Sequence, residues 1–160
     1  MKNIQIILIL SSILILFCQD IKKAPSFRLE NVEGRFVELD SLLTAGPVLL
    51  NFWASWCKPC KEELPEIYKI KNKFSEKGLS VILITIDQPS FVSKAKTLLK
   101  TKGFEFELLK DCDIKVFKSF GGSNTIPFTL LIDSEKNITF RKKGQTSYEE
   151  LLKEVNKILK

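Results

Sequence analysis

The chain has 160 residues, 44% of them hydrophobic, enough to bury one core and too few for two comfortable domains. Lys and Arg outnumber Asp and Glu by 25 to 19, a net charge of +6, but the basic residues are scattered rather than gathered into a stripe, which argues for a solvated lysine-rich surface and against nucleic-acid binding. Histidine is absent, which excludes Ser-His and Cys-His nucleophilic machinery, imidazole-ligated zinc and haem attachment, whose motif would need a histidine where Lys61 stands.

Residues 4–17, "IQIILILSSILILF", are almost wholly apolar and are followed at once by Cys18 in "CQDIKK". Fourteen residues at the helical rise span about 21 Å, short of the roughly 30 Å hydrocarbon core, which fits an export signal better than a full membrane span. Cys18 resembles the lipidated acceptor cysteine of a bacterial lipoprotein signal, although Phe17 is bulkier than the small residue usual before it. The competing reading is an uncleaved anchor, and both put the domain outside the cytoplasm, on a membrane. Residues 1–18 are therefore expected to be a signal or anchor, and residues 19–160 the folded domain.

Residues 21–25 read as a tether. "SFRLENVEGRFVEL" predicts two short strands around Gly34, a β-hairpin. "PVLLNFW" is a continuous apolar run of the kind found in a central strand covered on both faces. From residue 57 to 77 the pattern is helical and stops at Gly78. "LSVILITID" predicts a second buried strand, residues 90–102 a helix closed by Gly103, "FEFELLKD" a third strand, and "DIKVFKSF" a short helix ending at Gly121 and Gly122. "PFTLLID" and "NITFRKK" predict two further strands across a turn, and Ser147 with Glu150 a capping box opening the last helix. Strands alternating with helices imply an α/β domain with a mixed sheet and helices on its faces.

"NFWASWCKPCKEELP", from Asn51 to Pro65, carries the chemistry. Cys57 falls at the start of the helix after the central strand, where free backbone amides and the macrodipole favour a thiolate. Cys60 lies over the same turn, within disulfide reach. A zinc site needs four ligands, and only Cys112 and Cys18 remain beyond the pair. A two-residue loop also makes a weak structural staple. Reversible redox chemistry is the leading account. Pro59 suits the first helical turn.

These residues resemble the thioredoxin-like thiol-disulfide oxidoreductases of the AhpC/TSA-Redoxin superfamily, and within them the membrane-tethered extracytoplasmic branch typified by TlpA and ResA. The likeness runs from about Pro25 to the C-terminus. It implies a thioredoxin-like fold with an N-terminal hairpin extension, no cofactor and no metal. It makes Cys57 the nucleophile, Cys60 the resolving thiol and Pro65 a kink in the active-site helix. "TIP" resembles the loop in which a cis proline faces the disulfide, which makes Pro127 the cis residue and Ile126 its neighbour. With Trp56, Lys58 and Pro59 these two residues are the expected substrate-binding surface. The implied partners are protein disulfides and a membrane electron donor, with cytochrome c maturation one setting, although "GGSNTIPF" departs from the run usual in that group.

Asn51 interrupts the central strand where cytoplasmic thioredoxins hold a titrating Asp, and its amide cannot titrate. A helical wheel through Cys60, Leu64, Ile67, Ile70 and Phe74 places Glu63 inside the apolar arc, so Glu63 is expected to be buried and to exchange a proton with a nearby thiol. The resemblance assigns a functional Glu to the same place. Trp53 is expected in the core, and Cys112 as a semi-buried bystander. Two alternatives stay open. One is a peroxiredoxin, suggested by "APSFRLENVEGRFVELDSL", although Ala54 stands where its Thr or Ser would be. The other is a Cu(I) carrier using the two thiolates.

Overall fold

The computed structural model describes residues 22–159; the apolar N-terminal run and Cys18 lie outside them. Strands β1 (Arg28–Glu30) and β2 (Phe36–Glu38) form the expected antiparallel hairpin. Asn31 closes its turn: the side-chain oxygen accepts from the amides of Glu33 and Arg35, at 3.0 and 2.8 Å, while Gly34 supplies a φ of 87°. A bridge between Asn31 and Leu109 fastens the hairpin to the main sheet.

That sheet contains β3 (Val48–Trp53), β4 (Ser80–Thr85), β5 (Glu107–Lys110), β6 (Phe128–Ile132) and β7 (Ile138–Lys143), in the order β5-β4-β3-β6-β7. β3, β4 and β5 run parallel, and β6 and β7 are antiparallel to their neighbours. Helix α1 (Leu39–Leu43) precedes β3, α2 (Lys58–Phe74) follows it, α3 (Val92–Thr101) joins β4 to β5, α4 (Lys115–Ser119) follows β5, and α5 (Tyr148–Ile158) ends the chain. The result is the expected mixed sheet flanked by helices.

Alternation along β3 decides which face each residue serves. Val48, Leu50 and Phe52 enter one core, where Phe52 meets Phe117, Phe120 and Phe128 at centroid distances of 5.4, 5.9 and 5.9 Å. Leu49 and Trp53 enter the other core, beneath Cys60, Leu64, Ile67, Ile70 and Phe74 of α2 and Leu151 and Val155 of α5. Asn51 shares their parity and therefore faces α2.

Four local expectations change. Ala24 is buried, its amide bonds to the Lys136 carbonyl, and Lys23 bridges to Asn137, so residues 22–25 are stitched to the turn before β7 rather than hanging as a tether. β5 begins only at Glu107, because Phe104 and Phe106 pack over Tyr68 of α2, at 5.0 and 5.3 Å, instead of extending the strand. The helix expected from residue 90 opens with a 3-10 turn at Pro89–Phe91 and becomes α-helical at Val92. The capping box is half made: Ser147 Oγ accepts from the Glu150 amide, but the Glu150 carboxylate turns to Lys142 of β7. Helix α1, buried through Leu39 and Leu43, was not foreseen; it is five residues long and has no side-chain cap.

Gly46, just before β3, has φ 145°, and a Cβ there would collide with the carbonyl oxygen of Gly78, the residue that ends the α2 segment. Gly103 has φ 68° and open space around it. Gly46→Ala is thus expected to cost about 2–3 kcal/mol, against about 1 kcal/mol for Gly103→Ala, since only the first adds a backbone collision to the left-handed strain. Urea unfolding of the two variants checks the difference.

Candidate active site

β3 delivers the chain to the mouth of α2 through Ala54, Ser55 and Trp56. Asp87, wholly buried just beyond β4, fixes that crossing: its carboxylate accepts from the Ser55 amide at 2.8 Å, the Ser55 hydroxyl at 3.0 Å and the Thr85 hydroxyl at 2.7 Å. Nothing in the sequence pattern marked Asp87 or Ser55 as partners.

Cys57 is the N-cap of α2, its sulfur accepting from the Cys60 amide at 3.2 Å, and the two sulfurs form a disulfide. Pro59 occupies the first turn as expected, where a missing N–H costs nothing. Pro65 sits inside the helix and leaves the Lys61 carbonyl without its usual donor. The two sulfurs have different surroundings: Cys57 is 5% exposed and Cys60 is fully enclosed. Beside Cys57, Trp56 stands out at 62% exposure, while Trp53 is in the core. Lys58 is exposed and reaches Glu62 at 3.8 Å. The Ile126–Pro127 peptide is cis, and the Ile126 carbonyl oxygen lies 3.9 Å from Cys57 Sγ. The structure thus brings Trp56, Cys57, Lys58, Pro59, Cys60, Ile126 and Pro127 to one place, the N-terminal end of α2.

Glu63 lies one turn below Cys60 and is 2% exposed. Oε1 accepts from Asn51 Nδ2 at 2.6 Å, and Oε2 accepts from the Thr146 amide at 2.9 Å and its hydroxyl at 3.2 Å. Burial pushes the Glu63 carboxyl up from 4.5 to about 7, against the pull of those three donors. The wheel foresaw Glu63's burial; it gave no hint of Thr146, which is 83 residues away in sequence.

Thr146 belongs to a short strap, residues 144–147, between β7 and α5. The Gly144 amide donates to the Pro127 carbonyl at 2.8 Å, and Gln145 Nε2 donates to the Pro59 carbonyl at 3.1 Å and to Glu62 at 3.3 Å. One loop therefore holds the cis-proline, the first turn of α2 and the buried carboxyl.

Cys112 is half-buried and free, and burial raises its thiol above the usual range. It shares a surface groove with Trp56, Ile86 and Phe91. Among the described residues no group of three or more Cys, Asp or Glu side chains is placed to hold a metal ion.

A disulfide at a helix mouth, a cis-proline against it and a buried carboxyl behind it define a thioredoxin-like redox site. Residues 21–141 match the AhpC/TSA family, and the chain belongs to it. It is 31% identical over 137 residues to the thiol-disulfide oxidoreductase ResA of Bacillus thuringiensis subsp. konkukian, covering 86% of this chain and 77% of that protein. It is 32% identical over 130 residues to ResA of Bacillus anthracis, covering 81% and 73%. The Chlorobium tepidum protein described as thiol:disulfide interchange protein DsbE superposes with a TM-score of 0.77 at 28% identity, covering 87% of this chain and 96% of that one. The chain is accordingly an enzyme, a thiol-disulfide oxidoreductase of the ResA and DsbE type, with Cys57 and Cys60 as its disulfide-forming pair.

The raised carboxyl has a thermodynamic signature. Between pH 4.5 and about 7 the folded protein keeps a proton on Glu63 that the unfolded chain has released. That contribution to stability is complete below pH 4.5 and is lost as pH rises through about 7, a fall of about 3 kcal/mol. Glu63→Gln removes it. In the oxidised protein, the difference in unfolding free energy between wild type and variant is expected to slope across that window and be flat above it, as measured by denaturant titration at several pH values.

Proposed function

We propose that this oxidoreductase acts outside the cytoplasm, attached to a membrane by its N-terminal segment, and reduces disulfides of exported proteins. The observation that carries the direction of attack is the unequal exposure of the two sulfurs: Cys57 meets the surface beside Trp56 and the Ile126 carbonyl, and Cys60 does not. Attachment is supported by the apolar run 4–17 and by Cys18, a lipid acceptor on this reading, with residues 19–160 as the working domain. Among the described residues no helix is long and apolar enough to cross a membrane. Cytochrome c maturation is one setting in which such a reductant would serve.

In the reduced enzyme the Cys57 thiolate is favoured by the Cys60 amide and the helix end. It attacks one sulfur of the substrate disulfide, forms a mixed disulfide and expels a substrate thiolate. Glu63 takes the proton from Cys60, whose thiolate attacks Cys57 Sγ, releases the second substrate thiolate and leaves the Cys57–Cys60 bond. The substrate gains two electrons, and a membrane donor returns two to the enzyme. Trp56, Lys58, Pro59, Ile126 and Pro127 form the surface that receives the substrate chain.

Cys60→Ala prevents the resolving step. Mixed with an oxidised peptide, it is expected to hold a covalent adduct through Cys57 that dithiothreitol releases, seen by mass spectrometry. Capture of no adduct, with Cys57 still open to alkylation, would falsify the assigned order. For Glu63→Gln, the pH profile of thiol exchange is expected to lose its inflection near pH 7; a profile matching the wild type removes Glu63 from the proton path.

A further inference from the structure

Asn51 has one polar atom left over. Its amide nitrogen donates to Glu63 Oε1 at 2.6 Å and to Thr129 Oγ1 at 3.0 Å, which uses both hydrogens. Its Oδ1 is buried and has no hydrogen-bond partner among the described residues. A buried acceptor without a donor is costly, and here it sits in the middle of the central strand.

The explanation lies across the hydrogen bond to Glu63. The donors around that carboxyl suit its ionised form: Asn51 Nδ2 on Oε1, and the Thr146 amide and hydroxyl on Oε2. Once Glu63 takes up a proton, the new O–H needs an acceptor. On the Oε2 side the Thr146 main-chain N–H offers none, and the hydroxyl is the longer contact at 3.2 Å. On the Oε1 side an acceptor already exists in the idle Oδ1, brought round by a half-turn of the Asn51 amide about its broad, two-fold χ2 torsion. Thr129 accommodates the same turn. Its hydroxyl accepts from Nδ2 when Glu63 is ionised and donates to Oδ1 when Glu63 is protonated.

We propose that Asn51 is a positioning residue for thiol exchange, its amide turning over in step with Glu63 so that the carboxylate meets a donor and the acid meets an acceptor. The proposal rests on the reading of Glu63 as the carrier of the Cys60 proton. On its own helix Glu63 faces Cys60, with Cys57 beyond it, as titratable groups. β3, β6 and the strap present the neutral Asn51, Thr129 and Thr146. Among the described residues no lysine, arginine or second carboxylate bears on it.

The test is an NMR titration of the isotope-labelled reduced protein through neutral pH. It follows the Glu63 side-chain carboxyl carbon and the through-space contacts of the Asn51 amide hydrogens. Above the Glu63 midpoint those hydrogens are expected to lie against Thr129, and below it to lose that contact. Glu63→Gln presents a permanent N–H toward Asn51, so it should hold the amide in the turned position at every pH. Asn51→Leu removes both the donor to the carboxylate and the acceptor to the acid, and because the bond to the charged form is the stronger it should move the Glu63 midpoint, and the inflection of the exchange rate with it, alkaline by about one pH unit or less. An Asn51 amide with the same neighbours on both sides of the midpoint overturns the proposal, as does an Asn51→Leu midpoint displaced by the full worth of the lost donor, about two pH units, since the acid would then have had no acceptor to lose. Where that variant fails to fold, the wild-type and Glu63→Gln contacts decide alone. Because Glu63 is watched directly, a midpoint without effect on exchange sinks the proton-carrier reading and leaves the amide rotation to be judged by its own contacts.

Discussion

A carboxyl group shut away from water beneath a disulfide must be held by donors, and at Glu63 those donors come from distant parts of the chain. Asn51 is on β3 and Thr146 on the strap before α5, while Thr129 of β6 orients Asn51 in turn. Asn51 and Thr129 are directly paired in the β3–β6 register. A slip of one residue in that pairing would turn one of them to the opposite face of the sheet and break the chain of hydrogen bonds. The apolar residues on both faces of β3 make such a slip prohibitive. The redox centre thus inherits its order from the strand register, and the register from the two cores.

Local pattern carried the sequence a long way. The apolar runs located β3, β4 and β6, the two cysteines with Pro59 marked the mouth of α2, and the wheel through Leu64, Ile67, Ile70 and Phe74 put Glu63 on the buried side. These features depend on neighbours within a turn or two of helix or on alternation along a strand. What stayed illegible depends on chain folding back from afar. Asn51 and Glu63 were each singled out, but nothing in either segment told that they touch; Thr146 and Gln145 fell in an unmarked connection, and Asp87 at the tail of a predicted strand. Residues 22–25 misled for the same reason, since their partners lie in the turn before β7.

Two buried carboxylates flank the CxxC segment with opposite duties. Asp87 takes three hydrogen bonds, two from Ser55 and one from Thr85, and so ties the Ser55 crossing to the end of β4. Glu63 also takes three, yet burial keeps its proton within reach at neutral pH. On the proposed function this carboxyl serves, in a chain without histidine, as the neutral-range acid or base that an imidazole would otherwise supply.

The strap at residues 144–147 puts the far end of the polypeptide mechanically in series with the disulfide. Its last residue caps α5, its first grips the cis-proline carbonyl, and the two between them grip Pro59 and Glu63. A load that tilts the C-terminal helix is therefore carried through the strap to the first turn of α2 and the cis-proline. Fraying of that helix, a fusion pulling on it or a partner docking against it would each be felt as altered redox behaviour rather than as simple loss of fold.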